Sequence, residues 1–243
     1  MLGFAHPPGP GDWEGVLTSP PVGQALGEIR PLFPRVPTAP TPEGSASPPS
    51  PGLPPLAGRA GVIRSAAVHP SADKLYVLEV DVGEPKPRTV VAGLRPSYSV
   101  EALLGRPVIL LSNLAPRTIR KMTSQGMVLA AEVGERAVLL APPDGTSAGT
   151  FVLGTSASDR AISHEEFSST PLLVGRAEGP VGEGATRFDL GGREIEVAGD
   201  WPKGMLGVVR LRNPDATVGE LLAFGPGLAV RPSEEVAAGA RVR

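Results

Sequence analysis

The run from Lys74 to Val82 constrains the fold more than any other stretch of this chain. Tyr76, Leu78, Val80 and Val82 alternate with Val77, Glu79 and Asp81. That period of two gives an extended strand one apolar face and one mixed face, which is how a half-buried β-strand reads. The neighbouring segments carry the same signal. Gly61–Val68 reads as a preceding strand, Arg88–Ala92 as a Thr/Val-rich third, and Val108-Ile109-Leu110-Leu111 as the buried run of a fourth at Pro107–Ser112. Met127–Glu132 and Ala137–Leu140 are two more, turned at Gly134-Glu135. The one good helical stretch here is Ser99–Leu104, with Ser99 placed to cap it and Gly105 to end it. Three strands, a helix and further strands predict an all-β fold with minor α, a five-stranded Greek-key barrel of the OB type. Pattern alone also allows a sandwich.

The chain is not uniform along its length. Residues 37–55 contain 8 prolines and a single charge, Glu43, too little apolar surface to offset chain entropy. This divides the sequence into a short N-terminal segment (1–36), a Pro-rich linker (37–58), a barrel (59–154) and a C-terminal β-rich module (155–243). In the last, Arg187–Val197 predicts a hairpin about Gly191-Gly192, with Phe188 opposite Ile195, Arg187 opposite Glu196 and Asp189 opposite Glu194. Ile162–Phe167 reads as a short helix capped by Ser163. Gly207–Leu211 and Leu228–Arg231 are candidate later strands.

Composition excludes several chemistries. There is no cysteine, so disulfides, zinc–thiolate clusters and a thiol nucleophile are out. The three histidines, His6, His69 and His164, are far apart in sequence, and no metal site or cofactor is expected. His69, before Pro70, reads as a turn residue. No apolar run reaches the ~20 residues of a membrane span, and the N-terminus lacks a basic leader, so a cytoplasmic protein is expected. The net charge of −2 hides an uneven distribution. Residues 59–154 carry 11 basic and 8 acidic side chains, whereas 155–243 carry 10 and 13.

Several separated motifs in the basic middle region occur together and in order. They are His69-Pro70-Ser71-Ala72-Asp73-Lys74-Leu75-Tyr76 with its strand, Arg88-Thr89-Val90-Val91-Ala92-Gly93-Leu94, Val108–Leu114, Ser124-Gln125-Gly126-Met127 and Leu140-Ala141-Pro142-Pro143-Asp144-Gly145. The region 59–155 resembles the tRNA-binding domain of endothelial-monocyte-activating polypeptide II and of the C-terminal extensions of methionyl- and tyrosyl-tRNA synthetases. The resemblance implies an OB barrel that binds tRNA with little sequence preference. The hairpin at Arg187–Val197 resembles part of the module that, in the eukaryotic polypeptide, imitates the second subunit of dimeric bacterial relatives. It implies a monomer with a pseudo-dimeric interior. Pro31-Leu32-Phe33-Pro34-Arg35 resembles the end of the anticodon domain of methionyl-tRNA synthetases.

Charge alone allows the loop between the fourth strand and Ser124 to be a solvated charged loop; the resemblance implies that it holds the RNA contacts. Arg117, Arg120 and Lys121 cluster there, and cations at a barrel rim suit phosphate, Arg bidentately and Lys as a point charge. Arg120 matches the family well. Ala115 and Thr118 stand where relatives are often basic, and Arg117 and Lys121 are taken to substitute. Lys74 and Arg88 are expected at the margin. Asn113 and Ser124 flank the loop, with two readings open: hydrogen bonds to a base edge or ribose, or to loop backbone. No catalytic residues are expected, since no phosphate-binding Gly-rich loop, nucleophile elbow or metal-spaced His/Asp set occurs. Two other classes stand beside the tRNA-binding accessory reading. One is a scaffold protein of a synthetase assembly; the other is an appended piece of a methionyl-tRNA synthetase.

Overall fold

The computed structural model describes residues 54–153, 155 and 160–243. The chain divides into two compact units, Met1–Glu43 and Gly44–Arg243, and every described residue lies in the second. The expected N-terminal segment and residues 37–53 of the expected linker lie outside the described residues.

The first barrel opens with three strands in a meander, β1 (Gly58–Val68), β2 (Tyr76–Asp81) and β3 (Arg88–Ala92). The alternation that marks β2 is realised in burial: Tyr76, Leu78, Val80 and Val82 are buried while Glu79 is exposed. Each such aliphatic side chain contributes roughly 1.5–3 kcal/mol by leaving water. A single-turn helix, α1 (Val100–Leu103), follows, with the Ser99 side chain accepting from the Ala102 amide. Leu103 is the helix's buried residue and packs into the core of this barrel. Then come β4 (Pro107–Leu111), a small hairpin of β5 (Arg117–Ile119) and β6 (Met122–Ser124), and β7 (Met127–Val128), β8 (Ala130–Val133) and β9 (Arg136–Ala141). The main sheet has the order β3-β2-β1-β4-β7, with β7 curling round beside β3. This is a barrel and not the sandwich that the pattern also allowed.

After α2 (His164–Ser168), whose Ser163 and Glu166 form a reciprocal capping box, the chain builds a second barrel. Its strands are β10 (Leu172–Pro180), β11 (Ala185–Asp189), β12 (Glu194–Ala198), β13 (Leu206–Leu211) and β14 (Val218–Leu221). It is closed in the order β10-β11-β12-β14-β13, with β12 parallel to β14 and β13 returning to β10. With the main strands of each barrel numbered one to five, both run 1-2-3-5-4 around the circumference. The module that the sequence suggests through one hairpin is thus a complete barrel of the same connectivity. The hairpin register is as expected: Phe188↔Ile195, Arg187↔Glu196 and Asp189↔Glu194 are opposite pairs. The like-charged pair is relieved locally. Asp189 accepts from the Gly192 amide at 2.6 Å, and Glu194 reaches diagonally to Arg187 at 3.5 Å.

The barrels share a core. Leu111, Leu129, Leu140 and Val152 of the first pack with Leu172, Val174, Val208 and Leu222 of the second, and with Phe167 of α2. A final strand, β15 (Arg231–Pro232), returns to pair with β9, and Val242 bridges to Ala131. The packed chain also starts earlier than Arg59. Leu56 and Ala57 are buried, and Arg210 and Asn113 donate to the Pro54 and Pro55 carbonyls.

Candidate nucleic-acid interface

The segment expected to be a cationic loop is an ordered two-residue hairpin. Arg117, Thr118 and Ile119 pair with Ser124, Thr123 and Met122, leaving Arg120 and Lys121 alone at the tip. Both tip residues have left-handed backbone, φ 49° and 73°. Positive φ at both central positions is the type I′ pattern, which strongly favours Asn-Gly or Gly-Gly. This chain uses that solution at Gly191-Gly192, φ 80° and 92°. At 120–121 it accepts instead the Cβ clash of two long cations, a cost of roughly 1–2 kcal/mol per residue.

The base of the hairpin is fixed. The Gln125 amide donates to the Thr89 carbonyl, and its Oε1 accepts from the Thr89 amide. Ser124 Oγ accepts from the Val91 amide and donates to the Gly126 carbonyl. On the entry side, Asn113 accepts from the Ala57 amide and donates to the Pro55 and Arg160 carbonyls. Asn113 and Ser124 are 8% and 5% exposed. Of their two readings, the geometry matches loop ordering, and the base-edge reading is corrected: their polar atoms are spent on backbone.

Arg88 also differs from expectation. Its guanidinium grips Glu84 through two bonds of 2.8 and 2.7 Å and donates to the Ser112 and Gln125 carbonyls. The hydrogen bond from Arg88, with the nearby Arg88 and Arg59 charges, holds the Glu84 carboxyl below its usual range against the opposing effect of burial. Arg88 therefore ties two loops together under the hairpin, and its charge is already compensated. Arg117, Arg120 and Lys121 are exposed, as is Lys74 on the turn between β1 and β2. None of these four has a carboxylate partner among the described residues.

Two residues near the site escaped the sequence reading. Lys86, exposed between Pro85 and Pro87, stands on the rim of a cleft of about 620 Å³ beside the hairpin. The only signal was its isolation between prolines. His164 lies close enough to Arg117 to feel its charge. Burial first, and then that charge, lower its pKa from the usual value, so it is neutral at pH 7 and adds no cation. Among the described residues, no three His, Cys, Asp or Glu side chains are grouped to hold a metal. On the second barrel, the outward positions of β12 carry Glu194 and Glu196. The exposed cations of the β5–β6 hairpin and Lys74 lie on the first barrel.

Residues 59–151 match the family model described as a putative tRNA-binding domain. This segment is a member of that domain family. The tRNA-binding domain spans the first barrel and includes the whole β5–β6 hairpin. Mouse aminoacyl tRNA synthase complex-interacting multifunctional protein 1 is 50% identical over 91 residues, 37% of this chain and 29% of that protein. The methionine–tRNA ligase of Pyrococcus abyssi (strain GE5 / Orsay) is 48% identical over 94 residues, 39% of this chain and 13% of the ligase. The matched part is therefore a minor share of either relative. The C-terminal domain of Plasmodium vivax p43 superposes with a TM-score of 0.50 at 23% identity, covering 77% of this chain and 96% of that one. That coverage exceeds the tRNA-binding domain, so the likeness of fold runs on into the second barrel.

Proposed function

We propose that this chain is a tRNA-binding accessory protein that assists an aminoacyl-tRNA synthetase, methionyl or tyrosyl, and is not itself an enzyme. The observation that carries the reading is the β5–β6 tip. Two unpartnered cations occupy left-handed positions that glycine or asparagine would fill without strain, on a fixed base, in a domain of the tRNA-binding family. Backbone strain held in place by its surroundings is where function is to be sought. Arg117, Arg120 and Lys121 form the centre of the surface and Lys74 its margin. Because phosphates carry no base information, the protein binds tRNA species with little preference. The second barrel supports a monomeric chain with a pseudo-dimeric interior, and the likeness to translation proteins supports a cytoplasmic location.

The test is binding of wild type and of the Arg117/Arg120/Lys121 triple alanine variant to total tRNA across a salt series. Three phosphate contacts predict a slope of log affinity on log salt of roughly 2–3, which the triple variant loses together with most of its affinity. An unchanged affinity and slope would place the site elsewhere. The second reading, an appended piece of a methionyl-tRNA synthetase, is supported by the ligase likeness over 94 residues. Stimulation of a separate synthetase by the added chain favours the accessory role. Charging of tRNA by the purified chain alone would overturn the non-catalytic one.

A further inference from the structure

The cleft beside the hairpin is shaped by Glu84, Pro85, Lys86, Pro87 and Arg88 on one side and by Ser112 to Leu114, Pro116, Gln125 and Ala161 on the other. At about 620 Å³ it has the size of a small-molecule site. Its chemistry is lopsided. Several acceptors on its walls are occupied: both Glu84 oxygens by Arg88, and the Ser112 and Gln125 carbonyls by the same guanidinium. Asn113 is spent on backbone. Two donors remain. The Gln125 side-chain amide nitrogen has no partner among the described residues, its oxygen being held by Thr89. The exposed Lys86 ammonium has no carboxylate partner among them either. The rest of the lining is largely apolar, from Pro85, Pro87, Leu114, Pro116 and Ala161. A cleft with free donors beside apolar walls suits a flat ring with acceptor atoms joined to an anion. Arg117 directly follows Pro116, so the phosphate-binding hairpin begins where the cleft ends.

We propose that this cleft receives one unpaired nucleotide of the bound RNA, its base between the proline faces and within reach of the Gln125 amide, its phosphate on Lys86. The inference rests on the tRNA-binding reading above and adds to it a preference for RNA with an extrudable base, since single-stranded bases are what proteins read in RNA. Full-length wild type, Ala161→Trp, and the Arg117/Arg120/Lys121 triple alanine variant are titrated with total tRNA. They are also titrated with a short single-stranded RNA and a blunt RNA duplex of equal phosphate number. Ala161 is exposed and lines the cleft, so an indole there fills it while leaving Arg117, Arg120 and Lys121 in place. Ala161→Trp should weaken single-strand and tRNA binding about tenfold, the scale of one lost base contact, with a salt slope lower by roughly 0.7–0.9 for the lost Lys86 phosphate contact and unchanged duplex binding. The triple variant should weaken all three. If Ala161→Trp leaves single-strand binding intact, the cleft holds no nucleotide, whatever the triple variant does. If the triple variant keeps its affinity, the phosphate surface is wrong instead. Should Ala161→Trp fail to fold, photocrosslinking of wild type to a 4-thiouridine-containing single strand decides. Crosslinks within 84–88, 112–116 or at 125 support the proposal, and crosslinks confined to other segments overturn it.

Discussion

At positions 120 and 121 the cost in stability and the gain in binding are separable. A two-residue turn with positive φ at both positions is met by Gly191-Gly192 in the second barrel and by Arg120-Lys121 in the first. No Cβ clash opposes the glycines, whereas both cations pay it. Replacing Arg120 by Asn and Lys121 by Gly should therefore raise stability by about 1–2 kcal/mol in urea denaturation. The same double variant should bind tRNA more weakly, with a salt slope lower by roughly 1.5–2. Stability gained and affinity lost together would identify the turn as a strained functional element. A destabilised variant would mean that the side chains of 120 and 121 hold the hairpin. Arg88, one of the cations expected to touch RNA, is instead folded into a compensated network with Glu84 and two carbonyls. Sequence displays a charge but not its partner.

Among the elements, the strands whose apolar residues alternate or run together were legible, and two strands of the second barrel were not. β2, β3, β4 and the β11–β12 hairpin lie within a residue or two of where the pattern put them. β10 and β14 gave no such signal. β10 carries Gly175 and β14 carries Gly219, each where a neighbour's side chain fills the space a Cβ would take. At Gly219 an added Cβ would lie 2.5 Å from Val209 Cγ1 and 2.9 Å from Ile195 Cδ1. The missing side chain lets β14 reach β12 and close the barrel. Gly219→Val should cost about 1–3 kcal/mol by overpacking, read as a lowered urea midpoint. The salt slope of tRNA binding should stay at the wild-type value, because the hairpin is on the other barrel. A neutral result would show that β14 has room and that closure does not depend on this glycine. The β5–β6 hairpin was missed for a different reason: polar and charged residues at turn positions look the same in a loose loop and in a tight one.

For the whole molecule, the core between the barrels is the feature on which the proposed monomeric state rests. Leu111, Leu129 and Leu140 meet Leu172, Val174 and Leu222 in one continuous apolar cluster. Without the second barrel, that face of the first would be left as an exposed apolar patch, which drives association. The full chain should run as a monomer in light scattering, and a chain ending before residue 155 should dimerise or aggregate. A stable dimer of the full chain, or a monodisperse truncated monomer, would count against the second barrel as the internal partner of the first. Two barrels of one connectivity but opposite charge balance also divide the labour. In the proposed reading the basic one offers phosphate contacts, and the other, with Glu194 and Glu196 on its outer strand, covers the shared face.

The sequence by itself determined the β class, the order of the first barrel's strands, the caps at Ser99 and Ser163, the register of the Gly191-Gly192 hairpin and the family of residues 59–151. Each of these is written in neighbouring residues, through periodicity, turn chemistry or a contiguous motif. Only the tertiary structure decided which polar residues are free. Asn113 and Ser124 went to backbone groups from as far as Pro55 and Val91, and Arg88 went to Glu84 and the loops above it. It also decided that Lys86 fronts a cleft and that the C-terminal region closes into a second barrel. Those outcomes depend on contacts between segments distant in the chain, where packing and hydrogen-bond satisfaction choose the partner and local pattern carries no record of the choice.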